Sequence, residues 1–569
     1  MWPGFGPLSH RMKQRWYILV LLLAALAVYA NTLRNNFTED DALYILYNPA
    51  VRSFSLRGLF LPNQRSSVFR PLTFATFALN WQLGGPHPLG YHVANLLLNA
   101  ATVLLLFLLL RRLLEGHPHG DLLAAVAALL FAVHPLHTEA VASVVGRAEL
   151  LAAAFWFSAW LLHLRDRPLL AGLCFVLALL SKESAVAFFP LVLIGDYALR
   201  QRKPLWRYGL YAALTALYLT VSWHVHGGRF GPAGVTFLDN PLANLPVALR
   251  IPNALRISWK YLALCFYPAK LSCDYSYNAI PLYSTSWHTL VPAVAAALVV
   301  ALWIWALITR RTIWAIAGAI YFAGSAITAN VLVPTGTIMA ERLAYFPSAG
   351  ICLITGLLWM RMANWRRDAA WALLSVVVVA LAARTVVRNE DWRNDFTLFS
   401  SAARAYPGSA KMHAGLGTQY LLHGQFQAAE QQLRTALRIY PDLPDAYESL
   451  GLVKARLGQD QEARRLLQKA FSTTPKESVT YEYNLENLAA EMIKLGDDDA
   501  ALKLLNEGIA ESPHSPRAWS NRAAIRYRRG EVAEARADAQ TALRLDPSNV
   551  QAANLLVLLN TAVPAAAPK

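Results

Sequence analysis

Apolar runs long enough to cross a bilayer recur over roughly the first two-thirds of this chain, and nothing else in the sequence limits its fold so strongly. A hydrocarbon core of about 30 Å needs roughly 20 apolar helical residues. Within it, every backbone polar group must be bonded inside the segment or the bundle. The runs are 16–33, 91–113, 122–138, 148–165, 168–182, 184–199, 206–224, 290–309, 312–333, 343–361 and 369–388. The pair 168–182 and 184–199 is short and split by Ser181, Lys182 and Glu183. Composition agrees: 56% hydrophobic, 15% charged and 17 Trp is too apolar for a soluble average. The first run follows Arg11, Lys13 and Arg15, and with so many runs after it a retained helix is expected rather than a cleaved leader.

Loop charge gives the orientation, because Lys and Arg accumulate in short cytoplasmic loops. Arg111/Arg112, Arg165/Arg167, Arg200/Arg202/Lys203/Arg207, Arg310/Arg311 and Arg361/Arg366/Arg367 mark cytoplasmic turns. They share one side only if a further apolar run, 250–268, makes no net crossing, so that run is expected to be re-entrant or interfacial. About 11 crossings result, with a cytoplasmic N-terminus and everything after Arg388 on the far side. The net charge of +16 is then a topological signal rather than a nucleic-acid one. Four Cys, three of them in apolar segments, form no disulfide framework or metal-ligand spacing.

After Arg388 the composition shifts to Ala, Leu, Arg, Glu and Gln with helical spacing, and a repeat emerges. Gly424, Gly458, Gly496 and Gly530 recur at intervals of 34, 38 and 34 residues. Ala429, Ala463, Ala501 and Ala535 follow each Gly by five, and Pro441, Pro475, Pro513 and Pro547 by seventeen. This is the tetratricopeptide period. Small residues let paired helices approach and the Pro ends the second helix. Repeats are expected at about 410–443, 444–477, 482–515 and 516–549, with an insertion near Ser478–Tyr481, a half-repeat at Asp391–Pro407 and a capping helix at 549–560. The fold class is therefore all-α: a polytopic membrane domain over 1–390, a tetratricopeptide α-solenoid over 391–560 and a disordered tail at 561–569.

The polar residues that stand out all fall in far-side loops. The loop 34–90 opens with NFTEDDALYILYNP, where Glu39, Asp40 and Asp41 sit as the first helix leaves the bilayer. HPLHTEAVASVVGRAELL joins two apolar runs and carries His134, His137, Glu139, Arg147 and Glu149. Its histidines are three apart around a Pro, not the i, i+4 pair of a helical zinc site, so no metal site is expected. Lys182, Arg70 in FRPLTF, and Glu341 with Arg342 in TGTIMAERLAYFPSAG complete the set. Each alone is a structural ion pair or a solvated turn. Together they place one acidic loop and four cation-bearing loops in one compartment. A lipid-linked phosphate needs cations at headgroup depth, and an acceptor hydroxyl needs a carboxylate.

DDALYILYNP, FRPLTF, HPLHTEAVASVVGRAELL, SKES, DNPLANLP, ERLAYFPSAG and RNEDWRNDFTLFSSA, followed by the repeats, resemble the transmembrane and tetratricopeptide-repeat O-mannosyltransferases in the same order along the chain. The most specific pieces are HTEAV…VVGRAE and ERLAYFPS. The resemblance implies a GT-C glycosyltransferase fold, a polyprenyl-phosphate sugar donor and an active site on the lumenal or extracytoplasmic side. Asp40 matches the first acid of that family's loop and is the expected base, with Asp41 its neighbour. Arg70, His137, Arg147, Lys182 and Arg342 are expected phosphate ligands, oriented by Glu139 and Glu341.

The expected activity is inverting transfer of a monosaccharide, mannose or another hexose, from a polyprenyl phosphate to Ser/Thr of a protein held by the repeats. No cofactor is required; a divalent metal is compatible with this chemistry. Partners are the lipid-linked sugar, a protein acceptor and membrane lipid, with no nucleic acid. The Ala/Leu/Arg-rich composition and single Asn36-Phe37-Thr38 sequon point to a bacterial inner membrane with periplasmic repeats; in a eukaryote the repeats would be lumenal in the endoplasmic reticulum. Two alternatives stay open: a non-catalytic membrane-anchored scaffold, and a glycan polymerase or ligase of another fold.

Overall fold

The computed structural model of the chain describes residues 10–60, 68–228, 235–283, 286–331, 333–476, 478 and 480–561. Of the tail expected at 561–569, only the first residue falls among them, as the end of helix Val550–Thr561. The described residues are helical, with no strand among them. The chain divides into two compact units, Met1–Gly408 and Ser409–Lys569. The segment 391–408, expected with the repeats, packs within the first unit. Tyr406 lies 5.0 Å from the Tyr275 ring, and Asn278 N–H donates to the Gly408 carbonyl.

In the first unit four helical segments are long and apolar enough to cross a membrane alone: Arg11–Arg34, Pro88–Leu113, Trp287–Ile308 and Arg367–Asp391. A fifth candidate, Gly120–Ala132 with Pro135–Ala142, bends by 55° at its break. The remaining expected spans do not meet that standard; helix Pro168–Ser181 has 14 residues, about 21 Å against a core of about 30 Å. Helix Val247–Phe266 is not apolar enough to span; it buries Ala254, Ile257, Leu262 and Cys265 on one side and exposes Trp259 on the other.

Local chemistry explains where helices begin. Pro71, Pro88 and Pro168 stand in first turns, where a missing N–H costs nothing. The core joins Leu106, Phe107 and Leu110 to Leu123, Phe131, Phe157, Ile320 and Leu353. Apolar residues also point outward: Val291, Val294, Leu298, Leu302 and Ile308 are each more than half exposed on helix Trp287–Ile308. A stripe of that length faces lipid rather than water. Between lipid-facing helices, small residues set how closely backbones approach. Gly350 is one such point, since a Cβ there would stand 2.2 Å from the Ala317 carbonyl oxygen.

The described part of the loop 34–90 is itself folded. Helix Pro71–Gly84 buries Phe74, Phe77 and Ala78 with Ile45, Val51, Tyr91 and Val144. This small core holds the acidic stretch against the end of the bundle.

The second unit is four helix pairs: Ala410–Leu422 with Phe426–Ile439, Pro444–Arg456 with Asp460–Thr473, Tyr481–Lys494 with Asp498–Glu511, and Pro516–Arg528 with Val532–Leu545. Helix Val550–Thr561 closes the stack. The four spaced glycines turn each pair, with φ between +71° and +79°, a backbone state glycine adopts freely. The four alanines are fully buried between paired helices. The loop 474–480 is three residues longer than 440–443 and 512–515, and helix Tyr481–Lys494 is one residue longer than Pro444–Arg456 and Pro516–Arg528, which together account for the long middle interval.

Replacing Gly350 by Ala should destabilise the first unit by about 1–3 kcal/mol, because the contacted atom is backbone and cannot swing away. Thermal unfolding in detergent checks this; an unchanged melting temperature would show that helices Thr312–Ser325 and Ser348–Trp365 do not approach so closely.

Candidate functional site

The acidic loop is fastened on both flanks. On one side, Asn389 Nδ2 donates to the Val28 carbonyl and to Asn31 Oδ1, at 2.9 and 2.8 Å. Asn35 Nδ2 donates to the Asn389 carbonyl, and Asn36 N–H to the Arg393 carbonyl. Glu39, in the left-handed region with φ +50°, donates its N–H to Asp395 at 2.8 Å. That conformation costs about 1 kcal/mol for a residue with a Cβ, offset by the charge-assisted bond to Asp395.

On the other side, Asp41 is fully buried and accepts N–H bonds from Thr38 at 3.0 Å, Val145 at 2.9 Å and Val144 at 3.4 Å. Burial pushes its carboxyl up to about 7, against the lowering effect of those N–H groups. Asp41 thus clamps loop 38–41 to loop 143–145. Asp40, one residue earlier, is partly exposed and accepts no hydrogen bond among the described residues. One turn of π-helix, Ala42–Leu46, follows.

The cations fall into two groups. Arg342 is 31% exposed, and one edge of it is held by the fully buried Glu139. Its Nη1 donates to Glu139 Oε1, and its backbone N–H to Glu139 Oε2 at 2.9 Å. Nε and Nη2 of Arg342 donate to nothing among the described residues. Burial works against its charge, but Glu139, Asp40 and Glu39 outweigh it and raise its proton affinity. Arg70 grips Glu183 bidentately at 2.9 and 2.7 Å. Burial opposes the ionised form of Glu183, yet Arg70 holds its carboxyl down to about 2. The Asp40, Arg70, Arg342 and Glu183 charges all act on Tyr44. The structure therefore brings Asp40, Arg70 and Arg342 into one electrostatic neighbourhood.

The other expected phosphate ligands are engaged elsewhere. Arg147 is buried; Nε donates to Asn95 at 2.8 Å, Nη1 to Asn80 at 2.6 Å and Nη2 to the Tyr91 carbonyl at 3.0 Å. Its guanidinium also lies 4.8 Å from the Phe77 ring centre. Arg147 pins together helices Pro71–Gly84, Pro88–Leu113 and Arg147–Leu164. Lys182 is buried and paired with Glu149. His137 is buried between Phe131 and Tyr345, with Nε2 2.7 Å from Ser348 Oγ. Neither is available to a headgroup.

Glu341 does not touch the Arg342 guanidinium. It accepts from Ser272 N–H and Tyr275 O–H and lies 3.6 Å from Arg388. Burial pushes its carboxyl up to about 7, with Arg388 pulling the other way. Of the two glutamates expected to orient the cations, Glu139 is the one bonded to Arg342. Beside this cluster lies a crevice lined by Trp156, Phe346, Pro347, Leu343 and Ala153, with Glu149 at its polar edge. Among the described residues no three His, Cys, Asp or Glu side chains converge to hold a metal ion.

Sequence reasoning singled out no role for Asn80, Asn95, Asp395 or Arg388. The amides carried a signal, since polar residues inside an apolar run need partners. The role of Asp395 carried none, because its partner is a backbone N–H far back in the chain.

In the second unit, adjacent repeats exchange polar contacts between their first helices. Asn487 Nδ2 donates to Glu448 at 2.7 Å, and Arg517 donates to Asn487 at 3.1 Å and pairs with Glu486 at 3.2 Å. Burial, then Asp445, pushes the Glu448 carboxyl up to about 7.

Fold and site together define a helical bundle of membrane character, with a carboxylate and a half-engaged arginine beyond the helix ends, continued by a tetratricopeptide unit. The Tetratricopeptide repeat family matches residues 381–444, 415–477 and 491–550. Over the wider chain the similarity is to protein O-mannosyl-transferases. Protein O-mannosyl-transferase F38B6.6 of Caenorhabditis elegans is 30% identical over 444 residues, covering 74% of this chain and 63% of the relative. Protein O-mannosyl-transferase TMTC3 of Mus musculus is 26% identical, covering 94% and 64%. Protein O-mannosyl-transferase TMTC1 of Homo sapiens is 28% identical, covering 75% and 55%. The resemblance read from the motifs is borne out. The chain spans less than two-thirds of the length of these relatives.

The two aspartates separate by stability. Asp41→Asn sets an amide N–H₂ against backbone donors and should cost about 1–3 kcal/mol; Asp40→Asn should leave the melting temperature unchanged. Equal melting temperatures for the two variants would deny the clamp. For Glu448, the folded carboxyl titrates above its unfolded value, so the repeats should lose stability as pH rises from about 4.5 to 7 and level off above. Melts of the full chain across that window, with Glu448→Gln flattening the slope, check the sign.

Proposed function

We propose that this protein is a polyprenyl-phosphate-sugar-dependent protein O-glycosyltransferase, moving a hexose, mannose by resemblance, to a Ser/Thr hydroxyl on the extracytoplasmic side of the membrane. One observation carries the reading: an unengaged carboxylate, Asp40, shares a fixed neighbourhood with an arginine whose Nε–Nη2 edge is free. A guanidinium edge matches two phosphate oxygens and Lys does not reproduce it. Arg342, held from behind by Glu139, presents that edge to the donor phosphate. The pair Arg70–Glu183 borders the site without offering a free edge.

In the reaction the acceptor oxygen attacks the anomeric carbon from the face opposite the phosphate. The bond from that carbon to the phosphate oxygen breaks, its electrons leave with the polyprenyl phosphate, and configuration inverts. The hydroxyl proton passes to Asp40 as the new bond forms, when the oxygen is most acidic. Arg342 meets the charge that grows on the leaving phosphate. The repeats hold the acceptor protein. The similarity to protein O-mannosyl-transferases supports the reaction class, and the lipid-facing helices support a membrane-embedded donor.

Asp40→Asn should lower transfer by about 10²–10⁴-fold with donor binding retained, and Arg342→Lys should weaken donor binding more than acceptor binding. An in-membrane transfer assay with a polyprenyl-phosphate hexose, beside donor titrations, reads both. Full transfer by Asp40→Asn would remove it as base, and no transfer by the parent protein would favour the non-catalytic scaffold.

A further inference from the structure

The end of the first unit that carries the basic turns has a feature that the proposed reaction does not use. Four helix ends meet there: the C-terminal end of Trp287–Ile308, the N-terminal end of Thr312–Ser325, the C-terminal end of Ser348–Trp365 and the N-terminal end of Arg367–Asp391. Five arginines stand at these ends: Arg310, Arg311, Arg361, Arg366 and Arg367. All five are exposed. None makes an ion pair or a side-chain hydrogen bond among the described residues. One acid, Asp368, lies in the stretch, exposed and pairing with none of them.

Four of the five lie over aromatic rings. The Arg310 guanidinium is 5.5 Å from the Tyr197 ring centre, Arg311 is 6.0 Å from Trp305, Arg361 is 5.5 Å from Trp314 and Arg366 is 5.1 Å from Trp365. These contacts tie the cations to four different rings of the corner, Tyr197, Trp305, Trp314 and Trp365. The neighbouring basic corner differs. There Lys203 and Arg207 both pair with Asp166, at 2.8 and 2.7 Å, so their charge is already answered.

The surface below the free cations is apolar. Trp305, Ile308 and Trp365 are exposed next to them, and Leu298 and Leu302 continue the exposed face along helix Trp287–Ile308. A soluble anion would use the cations and leave that face bare. A phospholipid uses both, its phosphates on the arginines and its chains on the leucines. Basic sites between helix ends at the cytoplasmic face bind anionic headgroups, and exposed Trp at the same level marks the interface.

We propose that this corner binds the headgroup of an anionic phospholipid carrying two phosphates, one at Arg310 and Arg311 and one at Arg361 and Arg366. The site is independent of the transfer reaction and lies at the opposite helix ends.

The test uses the purified full chain in detergent, with native mass spectrometry and thermal unfolding read in parallel. The probes are cardiolipin, phosphatidylglycerol, phosphatidylcholine and inorganic phosphate. Cardiolipin should remain bound and raise the melting temperature, phosphatidylglycerol less so, and phosphatidylcholine and inorganic phosphate not at all. The variant Arg310→Gln/Arg311→Gln/Arg361→Gln should bind cardiolipin roughly tenfold more weakly or worse while melting like the parent in phosphatidylcholine. The variant Lys203→Gln/Arg207→Gln should keep cardiolipin binding. Equal cardiolipin binding by the triple variant and the parent would overturn the proposal, as would stabilisation by inorganic phosphate equal to that by cardiolipin.

Discussion

A buried carboxylate that accepts backbone N–H groups from two loops, about a hundred residues apart in sequence, is the contact on which the rest of the site depends. Asp41 receives Thr38 from its own loop and Val144 and Val145 from the turn that begins helix Arg147–Leu164. An unpaired buried acceptor or donor costs about 1–3 kcal/mol, so these loops are stable only together. Once they are joined, Asp40 has nowhere to turn but outward, and the turn that carries it is fixed relative to Glu139 and hence to Arg342. The half-exposed position of one carboxylate is a consequence of the full burial of the next.

The same logic separates the arginines. Arg147 and Arg342 look alike in sequence, each beside an apolar run with a nearby glutamate. Asn95, Asn80 and the Tyr91 carbonyl consume the guanidinium of Arg147. Glu139 takes only one edge of Arg342. Neither outcome is visible along the chain, because the deciding partners lie on helices whose mutual rotation is a tertiary property. The adjacent aspartates are unresolved in sequence for the same reason: Glu39 reverses the backbone between solvent and core, and a positive φ at glutamate has no sequence signal. The repeats were legible because each requirement is local. A glycine turns, an alanine packs and a proline stops, all at fixed offsets. The chain's division was less legible, since Tyr406 and Gly408 join the first unit through partners near Tyr275 and Asn278. Spanning helices were legible where one long run faces lipid, and less so where short helices such as Pro168–Ser181 are shielded by neighbours.

The charge distribution gives the two ends of the bundle different characters. At the end bearing the acidic loop, cations are met by carboxylates of the fold: Arg70 by Glu183, Lys182 by Glu149, Arg342 by Glu139. Of these, Arg342 gives its carboxylate one guanidinium nitrogen and leaves Nε and Nη2 unbonded among the described residues. At the other end Arg310, Arg311, Arg361 and Arg366 lie over aromatic rings, which keep them in place without neutralising them.

The knot between Asn31, Asn35 and Asn389 joins the first apolar helix to the last, and Asp395 reaches back to Glu39 from just beyond. During synthesis the acidic loop would emerge early and wait for nearly the whole first unit to be inserted before its second anchor existed. The reactive geometry is thus assembled last. A nascent chain interrupted before residue 389 would hold its aspartates by the Asp41 clamp alone, with the flank of Asn389 and Asp395 still missing.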